Sequence, residues 1–375
     1  FGLRNAAQTF QRLMDRLFRH LPFVFSYVDD HLIASRTWEE HLEHLRQFFE
    51  ILREAGLRIN PAKCVFGAAE LDFLGHRVTA SGISPLSRHV EALQKFPRPG
   101  DAKSLQRFLG LVNFYRRFLP GIAGVVRPLT DSLRGAARHL VWTAAMSSAF
   151  EAAKRAVAEA APLAHPSHTA VLALAVDASE SHVGAVLQQL CGRAWRPLAF
   201  FSAKLSPTQT RYSAFDRELL AAFSAIRHFR FLLEGRQFRL LTDHKPLVAA
   251  LSRLSPPWSA RQQRHLAYIA EFTSDVRHTP GVNNVVADAL SRPLSSQPPP
   301  CSLPGAAGLV EDLPPTVELS PPSVVDWPAS SVVDWSATSV VDCAVPVSAA
   351  VAADIGPAGP AEPVDWAAFD AAQKT

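Results

Sequence analysis

Four acidic side chains are spaced along the sequence in a way that suits metal-dependent phosphoryl chemistry. Hydrolysis with two divalent ions needs several carboxylates that converge on ions about 3.5–4 Å apart. Oxygen ligands of this kind suit Mg²⁺ or Mn²⁺. A single carboxylate would be an ordinary surface group or helix cap, but one on each of four expected elements predicts a site for two ions. The four are Asp177, Glu218, Asp243 and Asp288.

The elements that must position these carboxylates follow from the apolar pattern after Pro166. Strand, strand, strand, helix, strand, helix, strand, helix is a mixed α/β order, and its first long helix permits a parallel crossover. If the first and fourth strands are neighbours, Asp177 and Asp243 lie side by side. The predicted strands are Val171–Asp177, Gly184–Gln189, Pro197–Ser202, Phe238–Thr242 and Asp275–His278, and the predicted helices are 213–234, Trp258–Glu271 and Asn283–Ser291.

A second pair of carboxylates, Asp29 and Asp30, stands between two runs of aromatic and β-branched residues. Residues 22–35 therefore predict a hairpin with the aspartates at its tip. Thr37 and Glu40 predict a capping box at the start of the next helix. Further along, residues 104–119 predict an amphipathic helix, and the alanine-rich stretch between Ala137 and Pro166 is also typical of a helix. The apolar face of the first helix comprises Leu42, Leu45, Phe49 and Leu52, before Gly56.

The motifs around the four carboxylates resemble the ribonuclease H (RNase H) of Ty3/gypsy-type long-terminal-repeat retrotransposons. This resemblance implies that all four carboxylates are metal ligands and that the RNA strand of an RNA/DNA hybrid is hydrolysed with two Mg²⁺ or Mn²⁺ ions. It also implies a candidate proton-transfer or product-release role for His278, although such elements often have tyrosine there and a structural histidine at a strand end is the alternative. The motifs are Asp177-Ala-Ser with Gly184-Ala-Val-Leu, Glu218-Leu-Leu-Ala, Thr242-Asp-His-Lys-Pro-Leu247 and Ala287-Asp-Ala-Leu-Ser-Arg292.

The first part of the chain resembles the reverse transcriptase of the same elements. Phe1-Gly2 begins a segment similar to the nucleotide pocket, with Ala7 in place of the usual proline. Tyr27-Val-Asp-Asp30 resembles the polymerase hairpin, which implies that Asp29 and Asp30 bind Mg²⁺. Residues 73–76 resemble the primer grip. The residues implied to contact nucleotide, primer DNA or template RNA are Phe1, Gly2, Tyr27, Phe73, Leu74, Gly75 and His76.

We therefore predict an α/β (α+β) chain of four parts. Residues 1–78 form the C-terminal part of a reverse-transcriptase palm, 79–160 a helical thumb and connection, 161–292 an RNase H-like mixed-sheet domain, and 293–375 a disordered tail. By the resemblance, the fingers and the third catalytic aspartate belong upstream of Phe1, so we expect a fragment whose polymerase activity is lost.

The charge is distributed unevenly between the predicted body and the tail. Residues 293–375 contain ten Asp or Glu against Lys374 alone, a net charge of −9. Because the whole chain carries +4, residues 1–292 carry +13. A body this basic suits a polyanionic partner, whereas a merely soluble basic protein is the alternative. The tail is rich in proline, which favours disorder, and it repeats Ser-Val-Val-Asp three times. The tryptophans of the repeats are candidates for docking on a partner of unknown kind.

The remaining composition narrows the class of protein. Four separated cysteines without a CxxC pair indicate a reduced protein without a structural zinc site. No apolar run reaches the roughly 20 residues that a membrane span needs. We expect a cytoplasmic or nuclear protein, within retroelement particles if expressed. The competing hypotheses are a non-catalytic or domesticated nucleic-acid-binding protein and a decayed copy that never folds.

Overall fold

The structure is a computed structural model that describes residues 4–134, 140–252 and 258–280, together with the backbone of 348–352 and 356–357. The chain divides into two compact units. The first comprises residues 1–73 and 345–375, and the second comprises residues 74–344. Within the described residues, no helix has the length and hydropathy that a bilayer crossing requires.

The first unit packs two helices against short strands. Its buried centre includes Met14 and Phe18 from the first helix and Leu45, Phe48 and Leu52 from the second. These side chains repeat every three or four residues along each helix, so they form one apolar face. The elements are α1 (Ala6–Phe18), β1 (Val24–Tyr27), β2 (Asp30–Ser35), α2 (Trp38–Glu54), β3 (Leu57–Arg58), a 3₁₀ turn (Pro61–Lys63), β4 (Val65–Ala68) and β5 (Glu70–Phe73).

Helix α2 begins one residue after Thr37, but its cap differs from the predicted box. The Thr37 hydroxyl accepts a hydrogen bond from the Glu40 amide at 3.2 Å, as expected. The Glu40 carboxylate, however, accepts from the amide of Arg36 at 2.6 Å, one residue earlier than a capping box requires. The cap therefore extends over one more residue of the chain before the helix.

The β1–β2 hairpin has a strained tip. Tyr27 pairs with Asp30, and between them Val28 has a φ of 53°, in the left-handed region that a β-branched residue rarely adopts. Such a conformation costs about 1–3 kcal/mol. The side chain of Gln11 offsets part of this cost, since its Oε1 accepts from the Val28 amide at 2.6 Å and its Nε2 donates to the Ser26 carbonyl at 3.0 Å. Helix α1 thereby holds the turn that carries the two aspartates.

Two strands of the C-terminal tail belong to the first unit. Strand β13 (Ser348–Ala352) lies between β2 and β4 and is antiparallel to both, giving the order β1-β2-β13-β4. Strand β14 (Gly356–Pro357) pairs with β3. The tail was predicted to be disordered throughout, whereas the structure has strands in these two short segments. The rest of 293–375 lies outside the described residues.

The second unit begins with a hairpin and a set of helices. The helix predicted over residues 104–119 begins at Ala102 and ends at Phe114, where a 3₁₀ turn continues the chain. Asp101 and Ser104 form its capping box. The elements are β6 (His76–Thr79), β7 (Gly82–Pro85), α3 (Ser87–Gln94), α4 (Ala102–Phe114), the turn Arg116–Phe118, α5 (Ile122–Val125), α6 (Arg127–Ser132) and α7 (Ala144–Ala158).

A five-stranded sheet follows, and it confirms the predicted mixed α/β class. Its order is β10-β9-β8-β11-β12, in which β11 runs parallel to β8 and to β12, while β9 is antiparallel to both of its neighbours. Helix α8 packs on β8 and β9 and leads from β10 back to β11, so it forms the predicted crossover. The elements are β8 (Leu172–Ala178), β9 (His182–Cys191), β10 (Ala194–Lys204), the turn Gln209–Arg211, α8 (Ala214–His228), α9 (Arg230–Leu233), β11 (Phe238–Thr242), α10 (Lys245–Ser252), α11 (Ala260–Phe272) and β12 (Val276–His278).

Backbone and polar contacts join the helical region to this sheet within the second unit. Ile83 and Leu163 exchange two backbone hydrogen bonds of 2.8 and 2.9 Å. The Arg116 guanidinium donates to the carbonyl of Ser202, and the hydroxyl of the same serine accepts from the Ala123 amide at 3.1 Å. The helical region is thus bonded to strand β10 and to the segment before β8.

Candidate active site

Two of the candidate carboxylates lie at the ends of adjacent parallel strands. Asp177 is the penultimate residue of β8, and Asp243 follows the last residue of β11. In the pairing of these strands Leu241 lies opposite Ala175, so the same register continued by two residues brings Asp243 opposite Asp177. This is the neighbour relation that we expected from the order of the strands.

Helix α8 contributes the third carboxylate from above the sheet. Its buried face includes Leu219, Ala222 and Ile226, which belong to the core between the sheet and its helices. Their burial determines which side of the helix faces the sheet. Glu218 lies next to this face in the second turn, and its Oε1 accepts a hydrogen bond from the Ala178 amide at 3.1 Å. The backbone just after Asp177 therefore holds one oxygen of Glu218 in place.

Oxygens of Asp177, Glu218 and Asp243 all lie within 4.8 Å of one another. Asp177 and Glu218 are each only 6% exposed, whereas Asp243 is half-buried. Burial, together with the neighbouring charges of Asp177 and Asp243, raises the pKa of Glu218 to about 8. The negative charges of the two aspartates therefore oppose ionisation of Glu218.

The donor set fits a hard divalent cation. All three side chains offer oxygen, which Mg²⁺ and Mn²⁺ prefer over nitrogen or sulfur ligands. Among the residues that the structure describes, Glu218 Oε2 is buried and has no hydrogen-bond partner. An orphaned buried oxygen is unfavourable unless a further group satisfies it, and a cation held by the three carboxylates would do so.

The other residues predicted for this site lie elsewhere or beyond the described ranges. Asp288 lies outside the described residues. His278 ends β12, where it pairs with Thr242, the residue before Asp243. Its side chain is exposed. His278 is thus one strand away from the carboxylate cluster.

One neighbour of the cluster was not predicted as a site residue. His244 directly follows Asp243 and is half-buried, and burial lowers its pKa although the charge of Asp243 opposes this. Within the described part of the chain, its Nδ1 is buried without a hydrogen-bond partner. Its place in the Thr242–Leu247 motif was the available signal, but the burial of its ring could not be read from the sequence.

The hairpin aspartates lie apart from any comparable cluster. Asp29 is exposed at the turn and Asp30 begins β2, while Tyr27 before them is 39% exposed. In the ranges that the structure describes, neither aspartate belongs to a group of three acidic, histidine or cysteine ligands. Phe1 and Gly2, predicted to contact the nucleotide, lie outside the described residues.

The residues predicted as a primer grip include a tight turn, which a hydrogen bond from Tyr115 holds in place. Leu74 and Gly75 have φ angles of 44° and 79°, both in the left-handed region. The Tyr115 hydroxyl donates to the Gly75 carbonyl at 2.8 Å, and it lies 2.9 Å from Nδ1 of His89, which can donate to it. Within the turn, His76 Nδ1 lies 2.9 Å from the Leu74 carbonyl. Burial lowers the pKa of His76 to about 4, so the ring is neutral at physiological pH.

The remaining member of that motif, Phe73, ends β5 in the first unit. It is 2% exposed and meets Phe25 edge-to-face at a centroid distance of 5.9 Å. Its ring is therefore a core group of the first unit.

Two family models match this chain. Residues 1–78 match the reverse transcriptase (RNA-dependent DNA polymerase) model, and residues 142–240 match the model of an RNase H-like domain found in reverse transcriptase. The second match includes Asp177 and Glu218 and ends three residues before Asp243. Both matches agree with the two motif sets found in the sequence.

Curated relatives and solved structures are consistent with these matches. The Tf2-3 and Tf2-7 transposon polyproteins of Schizosaccharomyces pombe are each 32% identical over 297 residues, which cover 78% of this chain and 22% of the relative. The chain thus spans less than a quarter of the length of these relatives.

A foamy viral protease-reverse transcriptase in complex with double-stranded DNA has a TM-score of 0.66 at 22% identity, covering 74% of this chain and 49% of that one. The same kind of protein in complex with an RNA/DNA hybrid has a TM-score of 0.64 at 22% identity, covering 87% and 41%. At this identity the likeness concerns the fold.

Proposed function

Because this chain carries the reverse transcriptase and RNase H-like sequences of a Ty3/gypsy-type retrotransposon polyprotein, we propose that it hydrolyses the RNA strand of RNA/DNA hybrids in a metal-dependent reaction. The observation that carries the proposal is the convergence of Asp177, Glu218 and Asp243 within 4.8 Å. Three buried or half-buried carboxylates are costly for stability unless a cation neutralises them.

In the proposed reaction these three residues hold divalent cations, with Asp288 as a fourth ligand. When bound there, Mg²⁺ or Mn²⁺ would supply activation of the attacking water and stabilisation of the leaving oxygen. The chain's own contribution is geometric and electrostatic. The Ala178 amide orients Glu218, and the parallel strands keep the two aspartates adjacent.

The charge of the chain supports the proposed substrate. Residues 1–292 carry +13, and such a surface attracts a duplex backbone through the release of counterions. The foamy viral protein of similar fold is described in complex with an RNA/DNA hybrid, which is consistent with the same class of ligand here. As a retroelement protein the chain would work on template RNA and primer DNA inside element particles, in the cytoplasm or the nucleus.

The test is cleavage of a hybrid with labelled RNA by the full chain in Mg²⁺. Asp243→Asn should reduce cleavage at least roughly 100-fold, because it removes one ligand charge while keeping the shape of the side chain. Glu234→Gln is the matched control, since that carboxylate is 58% exposed in a surface ion pair with Arg230. The control should cleave like the wild type.

A wild-type rate for Asp243→Asn would contradict the proposed site. Binding of the hybrid by the wild-type chain without any cleavage, in Mg²⁺ or in Mn²⁺, would instead favour a non-catalytic nucleic-acid-binding protein. Chelation with EDTA separates metal-dependent cleavage from contaminating nuclease of the metal-independent kind.

We further propose that this chain alone does not extend a primer. Polymerase chemistry with two ions needs a carboxylate that bridges them, and in the described ranges neither Asp29 nor Asp30 belongs to a group of three candidate metal ligands. Primer extension on an RNA template should therefore give no product beyond background. Extension that Asp29→Asn abolishes would show that the hairpin suffices, and would overturn this proposal.

A further inference from the structure

Three cationic side chains surround a single carboxylate where helix α6 meets strand β10. The ammonium of Lys204 lies 2.8 Å from both carboxylate oxygens of Asp131. Arg127 and Arg134 each approach the same carboxylate at 3.5 Å. Among the described residues, the three cations share this one carboxylate, so three positive charges and one negative charge leave a net +2. We call these four residues the Asp131 cluster.

The Asp131 cluster lies on the same face and at the same end of the sheet as the carboxylate site. Asp177 of β8 lies opposite Gly184 of β9, which in turn lies opposite Ser202 of β10. Directly opposed residues point to one face of a sheet, and so do residues two apart on one strand. Lys204, two residues after Ser202, therefore projects from the face that carries the Asp177 side chain. A ligand that covers this face would meet both groups of charges.

We propose that the Asp131 cluster binds a phosphate of the hybrid's backbone while the bond to be cleaved lies at the carboxylates. The choice of ligand rests on the proposed function, whereas the charge and the position of the cluster do not. Because a duplex has phosphates at a regular spacing, a second contact on this face fixes how far the duplex extends past the carboxylates. The helical region thereby contributes to the substrate site of the sheet region.

The first support is that the cluster has more positive charge than its contacts within the fold require. One cation suffices to neutralise Asp131, and Lys204 lies nearest to it. The side chains of Arg127 and Arg134 are 46% and 69% exposed, and ion pairs at such exposure add little to stability. Their guanidinium groups are accessible from solvent, and their planar arrangement of donors suits phosphate oxygens.

The second support is the electrostatic field at a buried neighbour. His182 lies directly opposite Lys204 and is 2% exposed. Burial, together with the charges of Arg127 and Lys204, lowers the pKa of this imidazole, and the charge of Asp131 opposes the change. The two cations thus outweigh the carboxylate at this point, and the field there is positive. Such a field attracts an anion.

The third support is the attachment of the helical region to the strand that carries Lys204. The Ser202 hydroxyl accepts a hydrogen bond from the Ala123 amide at 3.1 Å, and the Ser202 carbonyl accepts one from Arg116. Both bonds lie two residues before Lys204 on β10. They hold the cluster at a defined distance from Asp177.

This distance predicts where the bound phosphate lies along the duplex. Two strand spacings across the sheet and two residues of rise along β10 place the backbones of Asp177 and Lys204 roughly 12 Å apart. At about 3.4 Å of duplex axis per nucleotide, the phosphate at the cluster is roughly three to four nucleotides from the cleaved bond.

Hybrid binding by the full chain in EDTA tests the cluster without cleavage. The double variant Arg127→Gln with Arg134→Gln removes two charges and keeps side chains that suit a helix. The slope of log Kd against log salt concentration should fall by about 1, because one phosphate contact is lost. The double variant Arg127→Lys with Arg134→Lys keeps the charges and should retain the wild-type slope. Thermal unfolding checks that each variant is folded.

Arg230→Gln is the matched control for the loss of a surface arginine. Arg230 is 57% exposed and paired with one carboxylate, and it lies in α9, before β11 begins, whereas Asp243 follows the end of β11. The control should bind the hybrid with the wild-type slope.

Asp131→Asn separates phosphate binding from a purely structural role of the cluster. Removal of the carboxylate raises the net charge of the cluster, so the variant should bind the hybrid more tightly than the wild type at 50 mM salt. If the cluster only joins α6 to β10, loss of the carboxylate should leave binding unchanged or weaken it, and that result would contradict the inference.

An uncharged methylphosphonate linkage in the hybrid locates the contact. It is placed at one position at a time along each strand, and the cleavage products in Mg²⁺ are mapped. In the wild type the neutral linkage should suppress cleavage at bonds roughly three to four nucleotides away, at about 3.4 Å per nucleotide. The double variant Arg127→Gln with Arg134→Gln should not show this suppression, because its cluster no longer binds the phosphate.

The outcomes distinguish this inference from the proposed function. Equal salt slopes for the wild type and the glutamine double variant would overturn the inference, even if the wild type cleaves the hybrid. Suppression of the same cuts in both chains would overturn it as well. A wild type that never cleaves, but whose salt slope falls in the double variant, would support the Asp131 cluster and contradict the proposed nuclease.

Discussion

At the scale of the residue, Glu218 is the group whose environment is least favourable without a ligand. It is buried beside two other carboxylates, and its Oε1 takes its only described hydrogen bond. A carboxyl group in such surroundings lowers the stability of the fold, because on folding the group must either be buried as a charge or take up a proton. Binding sites often retain a destabilising group of this kind because the ligand compensates for it.

Glu218→Gln should therefore stabilise the metal-free chain and abolish its response to metal. We expect the free energy of unfolding in EDTA to rise by about 1–3 kcal/mol, because one buried acid is replaced by a neutral amide of the same shape. Thermal unfolding with EDTA and with Mn²⁺ measures both effects. The wild type should gain melting temperature with Mn²⁺, as should the Glu234→Gln control, and Glu218→Gln should not. If the variant keeps the full Mn²⁺ response, Glu218 is not a ligand.

At the scale of the element, the link between β7 and the segment before β8 depends on the absence of a side chain. Gly82 has a φ of 151°, and a Cβ there would overlap the carbonyl oxygen of Leu163. Close approach of the two backbones is what allows Ile83 and Leu163 to exchange their hydrogen bonds. A short strand in the helical region is thereby attached to the sheet region.

Gly82→Ala should destabilise the second unit by about 2–4 kcal/mol, because the backbone carbonyl it meets cannot move away without breaking the Ile83–Leu163 pair. Gly110→Ala is the control. Gly110 lies in α4 with open space where a Cβ would project, so alanine should stabilise the helix by about 0.5–1 kcal/mol. Urea unfolding compares them, and a Gly82→Ala chain as stable as Gly110→Ala would contradict the close approach.

The same scale shows how much of the fold the sequence could predict. Strand β11 was predicted with its observed bounds, and β8 within one residue at each end, because long apolar runs identify buried parallel strands. Helix α10 was missed because Lys245-Pro246 is typical of a turn. In the structure Pro246 lies in the first turn of the helix, where proline is favourable. The single helix predicted over 213–234 is instead α8 and α9, which separate at Phe229.

Other features could not be predicted because they depend on contacts distant in sequence. The left-handed Val28 requires Gln11, 17 residues earlier, to satisfy its amide. Strand β13 has weak intrinsic preference for a strand, and its conformation is decided by the two edges beside it. For the site, strand order predicted that Asp177 and Asp243 would be neighbours, but neither the Ala178 contact of Glu218 nor the burial of His244 followed from spacing.

At the scale of the whole molecule, charge is divided between a basic body and an acidic tail. Hybrid binding by the +13 body should weaken steeply with salt. For about five phosphate contacts the affinity falls roughly 500-fold between 50 and 200 mM salt. Fluorescence anisotropy with a labelled hybrid, in EDTA to prevent cleavage, measures this slope.

Deletion of residues 293–375 should leave that affinity equal or higher, because an acidic tail competes with phosphate for the same basic surface. A clear loss of affinity on deletion would make the tail a binding element instead. The comparison is made over the same salt series, since any competition by the tail is itself screened at high salt.

The hydrogen bonds between Ser202 and the helical region also bear on which segments of this chain can be exchanged with those of a related chain. Ser202 accepts from both Arg116 and Ala123, and Lys204 on the same strand lies 2.8 Å from Asp131. A junction between two related chains placed near residue 161 would separate the helical region from the strand with which it makes these bonds. We therefore expect a chimera that exchanges residues 74–280 as one block to fold better than a chimera that exchanges only residues 161–280.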